Sequence, residues 1–329
     1  MVNIKRKILL SIIILIIILQ GLFLFSCNSE DEITYEEKVQ NFTREWMNYL
    51  DDGALLNEII IPGSHNAGTY GMPVIAENQS NTIYEQLCKG IRYFDIRIKD
   101  QNSVLVNYHS IVNGAPFSEV VADIKRFIYE HPDQFFILDF TLSASIELRM
   151  WQILNSELDF SKNSLKADTN IDELTMGAIR ASGAKFMALF NCFIPYGQDQ
   201  YIFRRDSALI SPYREYYHYL DKDNLITQGF PIYFAEAEQN SKLFVLQSQR
   251  TANIIISPRQ LEDLFHSYIN DYLSNLTDSR TLDELNIVMR DFTDVDINNI
   301  KLILKLNNLK GTLKPDSREE FINILDIIE

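Results

Sequence analysis

Apolar and polar positions alternate in blocks along most of the chain. Beyond residue 34, short apolar runs alternate with longer stretches whose apolar residues recur at helical spacing. Short apolar runs bounded by turn residues are typical of buried strands, and we predict them at residues 56–62, 91–99, 104–108, 134–142, 185–190, 243–249 and 285–292. The helical stretches are predicted at residues 82–89, 118–131, 144–158, 171–181 and 258–276.

This order of elements indicates the fold class. Strands separated by helical stretches form βα units, which build a parallel sheet. With six or more such strands, we expect an α/β fold of one domain over residues 46–329, a distorted (β/α) TIM-type barrel. An open doubly wound sheet is the alternative. No glycine-rich nucleotide loop follows any of the strands, which favours the barrel.

The N-terminus has the pattern of an export signal. Residues 5–7 are basic, residues 8–25 are almost all apolar, and Cys27 follows after a serine. This layout predicts a signal peptide at residues 1–27, and its end resembles a bacterial lipobox, with lipidation at Cys27 and anchoring in the cell envelope. Simple secretion and an uncleaved membrane helix are the alternatives. Residues 28–45 would then be a tether and the start of an N-terminal helix.

The composition limits the partners that the chain can have. Its 329 residues are 46% hydrophobic and carry a net charge of −15, with no basic block beyond the N-terminus. We therefore expect a sizeable core and no nucleic-acid partner. After cleavage of a signal peptide, the remaining cysteines would be Cys88 and Cys192. Their apolar neighbours predict two buried free thiols, with a disulfide as the alternative.

Polar side chains follow several of the predicted strands. In a parallel barrel, the C-terminal strand ends and the loops after them line one mouth. His65 follows the first strand, and Asp95 and Arg97 share one face of the second. His109 ends the third strand, and Asp291 ends the last. We therefore expect these five side chains to converge at one opening.

Two histidines near carboxylates suit general acid–base catalysis. An imidazole with a pKa of about 6.5 can serve in either protonation state, and a carboxylate bonded to one ring nitrogen fixes its tautomer. The planar guanidinium of Arg97 matches phosphate oxygens. Together these groups suggest cleavage of a phosphodiester without a metal. The structural alternative is an ion pair between Asp95 and Arg97, and His131, His218 and His266 are expected to be structural residues.

Three sequence blocks resemble those of bacterial phosphatidylinositol-specific phospholipase C, a member of the X-domain superfamily. They are residues 46–71 (WMNYLDDGALLNEIIIPGSHNAGTYG), 90–100 (GIRYFDIRIKD) and 106–110 (VNYHS). The predicted helix and the strand QFFILDFTL that follow are similar to the next segment, so the resemblance covers residues 46–142. It implies a distorted TIM barrel and a two-step lyase and hydrolase reaction through a cyclic inositol phosphate. The implied substrate is phosphatidylinositol or a related glycerophospholipid at a membrane surface, with no cofactor.

The resemblance also implies a role for each matching residue. His65 would take the proton from the inositol 2-hydroxyl, and His109 would protonate the departing diacylglycerol oxygen. Arg97 would hold the phosphate oxygens while negative charge builds on them. Asp291 would orient His65, and Asp95 would be a partner in the same network. Calcium-dependent members carry an acidic ligand where this chain has Arg97, so no metal is expected.

This chain departs from the family pattern at the headgroup side and beside the first histidine. Metal-independent members usually have aspartate after that histidine, where this chain has Asn66, which could still accept a bond from His109. The charged residues that grip the inositol hydroxyls are missing from two strands, which offer Asn191 and Gln249 instead. Asn66, Arg97, Asn191 and Gln249 are therefore the predicted substrate-binding residues.

Two features leave alternatives open. The aromatic segment 191–234 either forms a rim that dips into lipid or packs as an ordinary aromatic layer. For the function, the main alternative is a catalytically weak surface lipoprotein that binds an inositol- or sugar-phosphate ligand. A metal-dependent glycerophosphodiester phosphodiesterase is a third reading, but it would need a Glu-x-Asp pair where this chain has Asp95-x-Arg97. We expect the protein to act as a monomer.

Overall fold

The computed structural model describes residues 35–143, 145–192, 200–219, 222–253, 255–276 and 279–327. The predicted signal peptide, the lipidation site at Cys27 and most of the tether lie outside these residues. No helix within the described ranges is long and apolar enough to cross a lipid bilayer. A compact unit runs from Val39 to Glu329.

Strands and helices alternate through the described part of the chain. The strands are β1 Ile61–Ser64, β2 Tyr93–Gln101, β3 Val104–His109, β4 Val112–Pro116, β5 Phe136–Leu142, β6 Phe186–Phe190, β7 Phe203–Arg204, β8 Leu209–Ile210, β9 Leu243–Gln247 and β10 Ile287–Arg290. The helices are α1 Tyr35–Glu45, α2 Ile83–Cys88, α3 Phe117–Glu130, α4 Glu147–Leu158, α5 Phe160–Asn163, α6 Met176–Ser182, α7 Arg205–Ala208, α8 Lys222–Asn224, α9 Phe230–Ala237, α10 Pro258–Ser274, α11 Ser279–Glu284, α12 Ile297–Lys310 and α13 Arg318–Ile327.

The sheet curls into a distorted barrel. Neighbouring strands pair in the order β7-β6-β5-β2-β1-β10-β9-β8, and every pair along this path is parallel. Strands β7 and β8 lie at opposite ends of the order, yet only the four residues of α7 separate them. Because a helix rises about 1.5 Å per residue, the two ends of the sheet must approach each other. The predicted (β/α) barrel is therefore confirmed.

The two faces of β2 show how the sequence forms the wall of the barrel. Phe94 and Ile96 lie on one face and are fully buried in the core, where the ring of Phe94 packs against Phe136 at 6.4 Å between centroids. Alternate residues of a strand point to opposite faces, so Asp95 and Arg97 lie on the other face. The hydrophobic face packs into the core and fixes the strand, and the polar face carries the candidate site residues.

The structure corrects one assignment that matters for the site. The strand predicted at 104–108 was expected to be the third barrel strand, but β3 pairs antiparallel with β2 and with β4 and so belongs to a hairpin. The pattern of one strand does not reveal the direction of its partner, so the sequence could not separate the two cases. Two smaller differences are that the first strand starts only at Ile61 and that the helix predicted at 171–181 begins at Met176.

Candidate active site

His65 follows β1 directly, and its ring contacts a carboxylate from the neighbouring strand. Parallel pairing places Ser64 opposite Arg290, so the residues after them are also neighbours. Nδ1 of His65 lies 2.6 Å from Oδ1 of Asp291, and the two side chains are 13% and 3% exposed. Because a carboxylate accepts, Nδ1 carries the proton and Nε2 is the basic nitrogen. This arrangement suits a general base.

The basic nitrogen of His65 faces the polar side of β2. Nη2 of Arg97 lies 3.2 Å from Nε2 of His65 and 3.3 Å from Oδ2 of Asp95. The backbone N–H of Asn66 donates to the same Asp95 oxygen at 3.1 Å. Burial by itself raises the pKa of Asp95, but the positive charges of Arg97 and His65 bring it below its usual value. Asp95 is therefore an anion that holds Arg97 beside the imidazole.

His109 ends β3 and approaches the same opening from the hairpin. Its Nδ1 lies 2.9 Å from the carbonyl oxygen of Ala76, so Nδ1 donates and Nε2 is left for other partners. Burial lowers the pKa of His109, and the positive charges of His65 and Arg97 lower it further. Direct contacts join His65, Asp95, Arg97 and Asp291. His109 is attached to the loop after β1 through its bond to Ala76.

Two loop residues that the sequence did not reveal hold this arrangement. Asn78 donates through Nδ2 to Oδ1 of Asp291 at 2.9 Å. Gln79 donates through Nε2 to the carbonyls of His65 and Arg290, each at 2.9 Å. Both residues lie in a polar loop without periodicity, so no local signal distinguishes them from ordinary surface residues.

A second buried carboxylate lies beside Asp95 on the next strand. Register pairs Asp139 of β5 with Asp95, and Asp139 is fully buried. Its Oδ2 accepts from the hydroxyl of Tyr93 at 2.6 Å and from Nε of Arg205 at 2.8 Å. Burial raises the pKa of Asp139, and the charge of Arg205 opposes this. The missed signal was a charged residue in the middle of the apolar run QFFILDFTL.

The structure places the predicted substrate-binding amides in different settings. Asn66 is buried, and its Nδ2 donates to Oδ1 of Asn78 at 3.1 Å. Asn191 is exposed, and its Oδ1 accepts from the N–H of Leu142 at 2.8 Å, which ties β5 to β6. Gln249 is buried just beyond β9 and donates to Oε1 of Gln247 at 2.8 Å. Arg97, the fourth predicted residue, bonds through its side chain to His65 and Asp95.

The other histidines bond to structural groups. His218 is buried, with Nδ1 at 2.5 Å from the carbonyl of Gln249 and Nε2 at 3.0 Å from the hydroxyl of Tyr233. Burial lowers its pKa to about 4, so it is neutral at ordinary pH. His131 contacts Glu45 at 3.4 Å, and Nδ1 of His266 contacts the carbonyl of Glu262 at 3.1 Å.

The two cysteines within the described residues are both free. Cys88, at the end of α2, and Cys192, after β6, are each partly buried. Burial raises the pKa of the Cys192 thiol. The sequence left a disulfide open, and the structure shows free thiols instead.

Comparison with known proteins identifies the part of the chain that carries the site. Residues 54–170 match the family described as phosphatidylinositol-specific phospholipase C, X domain. This part of the chain is therefore similar to an X domain. The match includes β1, β2 and the β3–β4 hairpin, and therefore His65, Asp95, Arg97 and His109.

Relatives extend this similarity beyond the X domain. The 1-phosphatidylinositol phosphodiesterase of Listeria monocytogenes is 25% identical over 293 residues, which cover 80% of this chain and 85% of that protein. The protein of the same name from Staphylococcus aureus is 30% identical over 100 residues, covering 28% of this chain and 32% of its own length. Sequence similarity therefore covers about a quarter of the chain for one relative and most of the chain for the other.

Solved structures confirm the fold. Phosphatidylinositol-specific phospholipase C from Listeria monocytogenes superposes with a TM-score of 0.63 at 23% identity, covering 80% of this chain and 98% of that one. A pentafluoro-Phe-containing form of the Staphylococcus aureus enzyme superposes with a TM-score of 0.62 at 17% identity, covering 82% and 98%. The distorted barrel is thus shared along most of the chain.

Proposed function

We propose that the protein is a metal-independent phosphatidylinositol diacylglycerol-lyase. It cleaves phosphatidylinositol, or a related glycerophospholipid, to diacylglycerol and a cyclic inositol phosphate. The observation that carries the proposal is the double contact of one imidazole. His65 has the carboxylate of Asp291 at 2.6 Å on Nδ1 and the guanidinium of Arg97 at 3.2 Å on Nε2. This places a base and a phosphate-binding cation at one point.

The reaction that the family resemblance implies gives each of these residues one step. Nε2 of His65 takes the proton of the inositol 2-hydroxyl, and the oxygen attacks phosphorus to form the cyclic ester. Asp291 stabilises the imidazolium that results. Arg97 stabilises the negative charge on the phosphate oxygens that do not leave. The bond from phosphorus to the glycerol oxygen breaks, and His109 gives that oxygen its proton.

Arg97 supplies the positive charge that this transition state needs. Its pKa is raised by the neighbouring charge of Asp95, so the guanidinium is charged throughout. The side chain is 34% exposed, which leaves part of the guanidinium accessible to a phosphate. We expect turnover without an added metal ion for this reason.

Exposed apolar side chains near the site support a phospholipid surface as partner. Five of them, here called the apolar rim, are 60% to 90% exposed: Val74, Ile75, Ile111, Tyr216 and Ile255. The first two precede Ala76, whose carbonyl binds His109, and the third follows His109 in the hairpin turn. The fourth lies in the turn Glu215–His218, which bonds to the segment after β9. A membrane contacting the rim would present headgroups to the site.

Only part of the predicted aromatic rim is exposed. Within segment 191–234, Tyr216 and Tyr219 are exposed, whereas Phe230, Tyr233 and Phe234 are buried in the core. Residues 193–199 and 220–221 of the segment lie outside the described part of the chain. The described part of the segment therefore contains both exposed and packed aromatic rings, and contact with lipid stays a prediction.

A turnover assay tests the function. The purified protein is incubated with phosphatidylinositol micelles in the presence of a chelator, and the cyclic phosphate is followed by ³¹P NMR. We expect cyclic product in the chelator. Turnover that needs an added metal ion would reject the metal-free assignment. Binding of inositol phosphate without any product would favour the second candidate function, a binding lipoprotein. The bond from Asn66 to Asn78 supports this second function.

Vesicle binding tests the rim. The double variant Ile75→Ser, Ile111→Ser should lose sedimentation with phosphatidylinositol vesicles but keep turnover of a monomeric short-chain substrate. Leu309→Ser is the matched control, because Leu309 is also exposed, at 60%, but lies on α12. Equal loss of vesicle binding in the control would reject the rim as the docking surface.

We further propose that the protein is exported, lipid-anchored through Cys27 and monomeric. The basic residues, apolar run and cysteine within residues 5–27 support export and anchoring. Labelled fatty acid should enter the wild-type protein in cells and not the Cys27→Ser variant. Light scattering of the detergent-solubilised protein should give the mass of one chain.

A further inference from the structure

Asn78 contacts the carboxylate that orients the base. The residue lies in the loop between β1 and α2, and its side chain is 2% exposed. Its Nδ2 donates at 2.9 Å to Oδ1 of Asp291, the same oxygen that lies 2.6 Å from Nδ1 of His65. We propose that Asn78 is a positioning residue that keeps this oxygen in line with the imidazole. The inference rests on the proposed function, in which His65 is the base.

Two other polar groups of Asn78 are bonded to the turn after β1. Its Oδ1 accepts from Nδ2 of Asn66 at 3.1 Å, and its N–H donates to Oγ1 of Thr69 at 2.9 Å. The hydroxyl of Thr69 in turn donates to the carbonyl of Asn66 at 2.8 Å. Asn78 therefore connects the turn after β1, which carries His65, with the turn after β10, which carries Asp291.

Both turns contain a residue in the left-handed region, next to the reacting pair. Asn66 has φ 48° and follows His65, and Phe292 has φ 47° and follows Asp291. Asparagine tolerates this conformation, but a bulky residue such as phenylalanine adopts it only when its surroundings compensate. The carbonyl of Asn78 accepts from the N–H of Phe292 at 2.7 Å. One residue thus bonds to the backbone of the turn after β10 and to two side chains of the turn after β1.

An amide is well suited to this place because it donates without adding charge. A hydrogen bond from a neutral donor stabilises the ionised carboxylate of Asp291 and still leaves its full charge to the imidazolium. A cationic donor in the same place would neutralise that charge. The same bond explains why this chain has asparagine at position 66. The side chain of Asn66 donates to Asn78, and His109 bonds to the carbonyl of Ala76 and not to Asn66.

The test compares Asn78→Ala with Asn81→Ala. Asn81 is a matched control, because it lies in the same loop and donates through Nδ2 at 2.8 Å to a carboxylate of the other turn, Asp294. The readout without substrate is the low-field ¹H NMR signal of the Nδ1 proton of His65, assigned by its disappearance in Asp291→Asn. The readout with substrate is kcat and KM on phosphatidylinositol.

We expect Asn78→Ala to move or broaden the low-field signal and to lower kcat about tenfold or more, with little change in KM. Asn81→Ala should leave the signal in place. An unchanged signal in Asn78→Ala overturns the proposal. An equal change of the signal in both variants also overturns it, because loss of the loop's anchoring would then explain the change. The signal needs no turnover, so a failure of the proposed function is recognised separately.

A second variant covers the case in which Asn78→Ala does not fold. Asn78→Asp keeps the shape and the acceptor for Asn66, but it turns a carboxylate oxygen towards Asp291. With folding checked by circular dichroism, we expect a displaced low-field signal and a larger loss of kcat than in Asn78→Ala. A wild-type signal and wild-type kcat in this isosteric variant would overturn the role of the donated bond.

Discussion

The two sides of the barrel mouth are built from different chemistry. On one side, which we call the catalytic side, β1, β2, β10 and the β3–β4 hairpin carry the two histidines, Arg97 and two carboxylates. A second part of the mouth, here called the opposite side, is formed by the segments that follow β6 and β9 and carries the amides Asn191 and Gln249. There the buried His218 packs between aromatic rings, with the ring of Tyr213 at 4.3 Å between centroids.

This difference separates two tasks. Ionised groups in fixed contact can supply a base, an acid and a cation, which is what bond cleavage needs. Neutral amides and rings supply shape and hydrogen bonds, which distinguish one headgroup from another. The comparison therefore predicts that variants on the catalytic side lower kcat, and that variants on the opposite side act on KM or on stability.

The largest effects are expected for the two histidines. His65→Ala and His109→Ala should each lower kcat on phosphatidylinositol by about 10²–10⁴-fold, because each loses a proton-transfer group. A substrate with an acidic phenol as leaving group should separate them. It needs no general acid, so it should restore turnover in His109→Ala but not in His65→Ala. Equal losses on both substrates would contradict the assignment of base and acid.

The next largest effect concerns the guanidinium. Arg97→Gln should lower kcat by about 10²–10³-fold, because a charged donor to the transition state is lost. Arg97→Lys keeps the charge but not the planar fork, so its loss should be smaller. Steady-state rates of the two variants give the comparison. A wild-type rate in Arg97→Gln would remove this residue from the reaction.

The pH dependence should follow from the environment of His109. Its pKa is lowered by burial and by the charges of His65 and Arg97. The general acid must be protonated, so kcat/KM should fall as pH rises through a value below the usual pKa of about 6.5. A bound phosphate anion raises the pKa of a nearby imidazole, so the falling limb of kcat should lie at higher pH. Identical limbs would contradict this account.

A smaller effect is expected on the opposite side of the mouth. Gln249→Ala removes a neutral hydrogen-bonding group worth about 1 kcal/mol, so KM should rise about fivefold with kcat unchanged. The measurement is steady-state kinetics on phosphatidylinositol. The exposed Asn191→Ala on the same side is the companion variant. A fall in kcat as large as that of the histidine variants would break the division between the two sides.

The last effect is on stability instead of turnover, and it concerns the opposite side. Burial holds the pKa of His218 at about 4, against 6.5 for the free group. The unfolded chain binds this proton more readily, so the stability from neutral His218 is complete above pH 6.5 and is lost as pH falls towards 4. The Tm of His218→Gln should therefore fall less over this range than that of the wild type. Parallel curves would reject the role of His218.

The sequence predicted most of the catalytic side because its signals are local. The alternation in IRYFDIRIK was enough to predict β2 and to place Asp95 and Arg97 on one face. The hairpin of His109 was assigned to the barrel wall because a strand pattern carries no information about its partner. Asn78 and Arg205 were missed because their partners, Asp291 and Asp139, lie 213 and 66 residues away.

The attachment of His109 to a hairpin has a consequence for how the enzyme could diverge. The proposed base follows β1 in the barrel wall, while the proposed acid ends β3 in the hairpin, an arm that joins the wall through the pairing of β3 with β2. Sequence changes in the arm alone, such as in the turn at Ser110, which has φ 55°, would reset the span between the two imidazoles. A lineage could thereby accommodate a bulkier leaving group without disturbing the wall that generates the nucleophile.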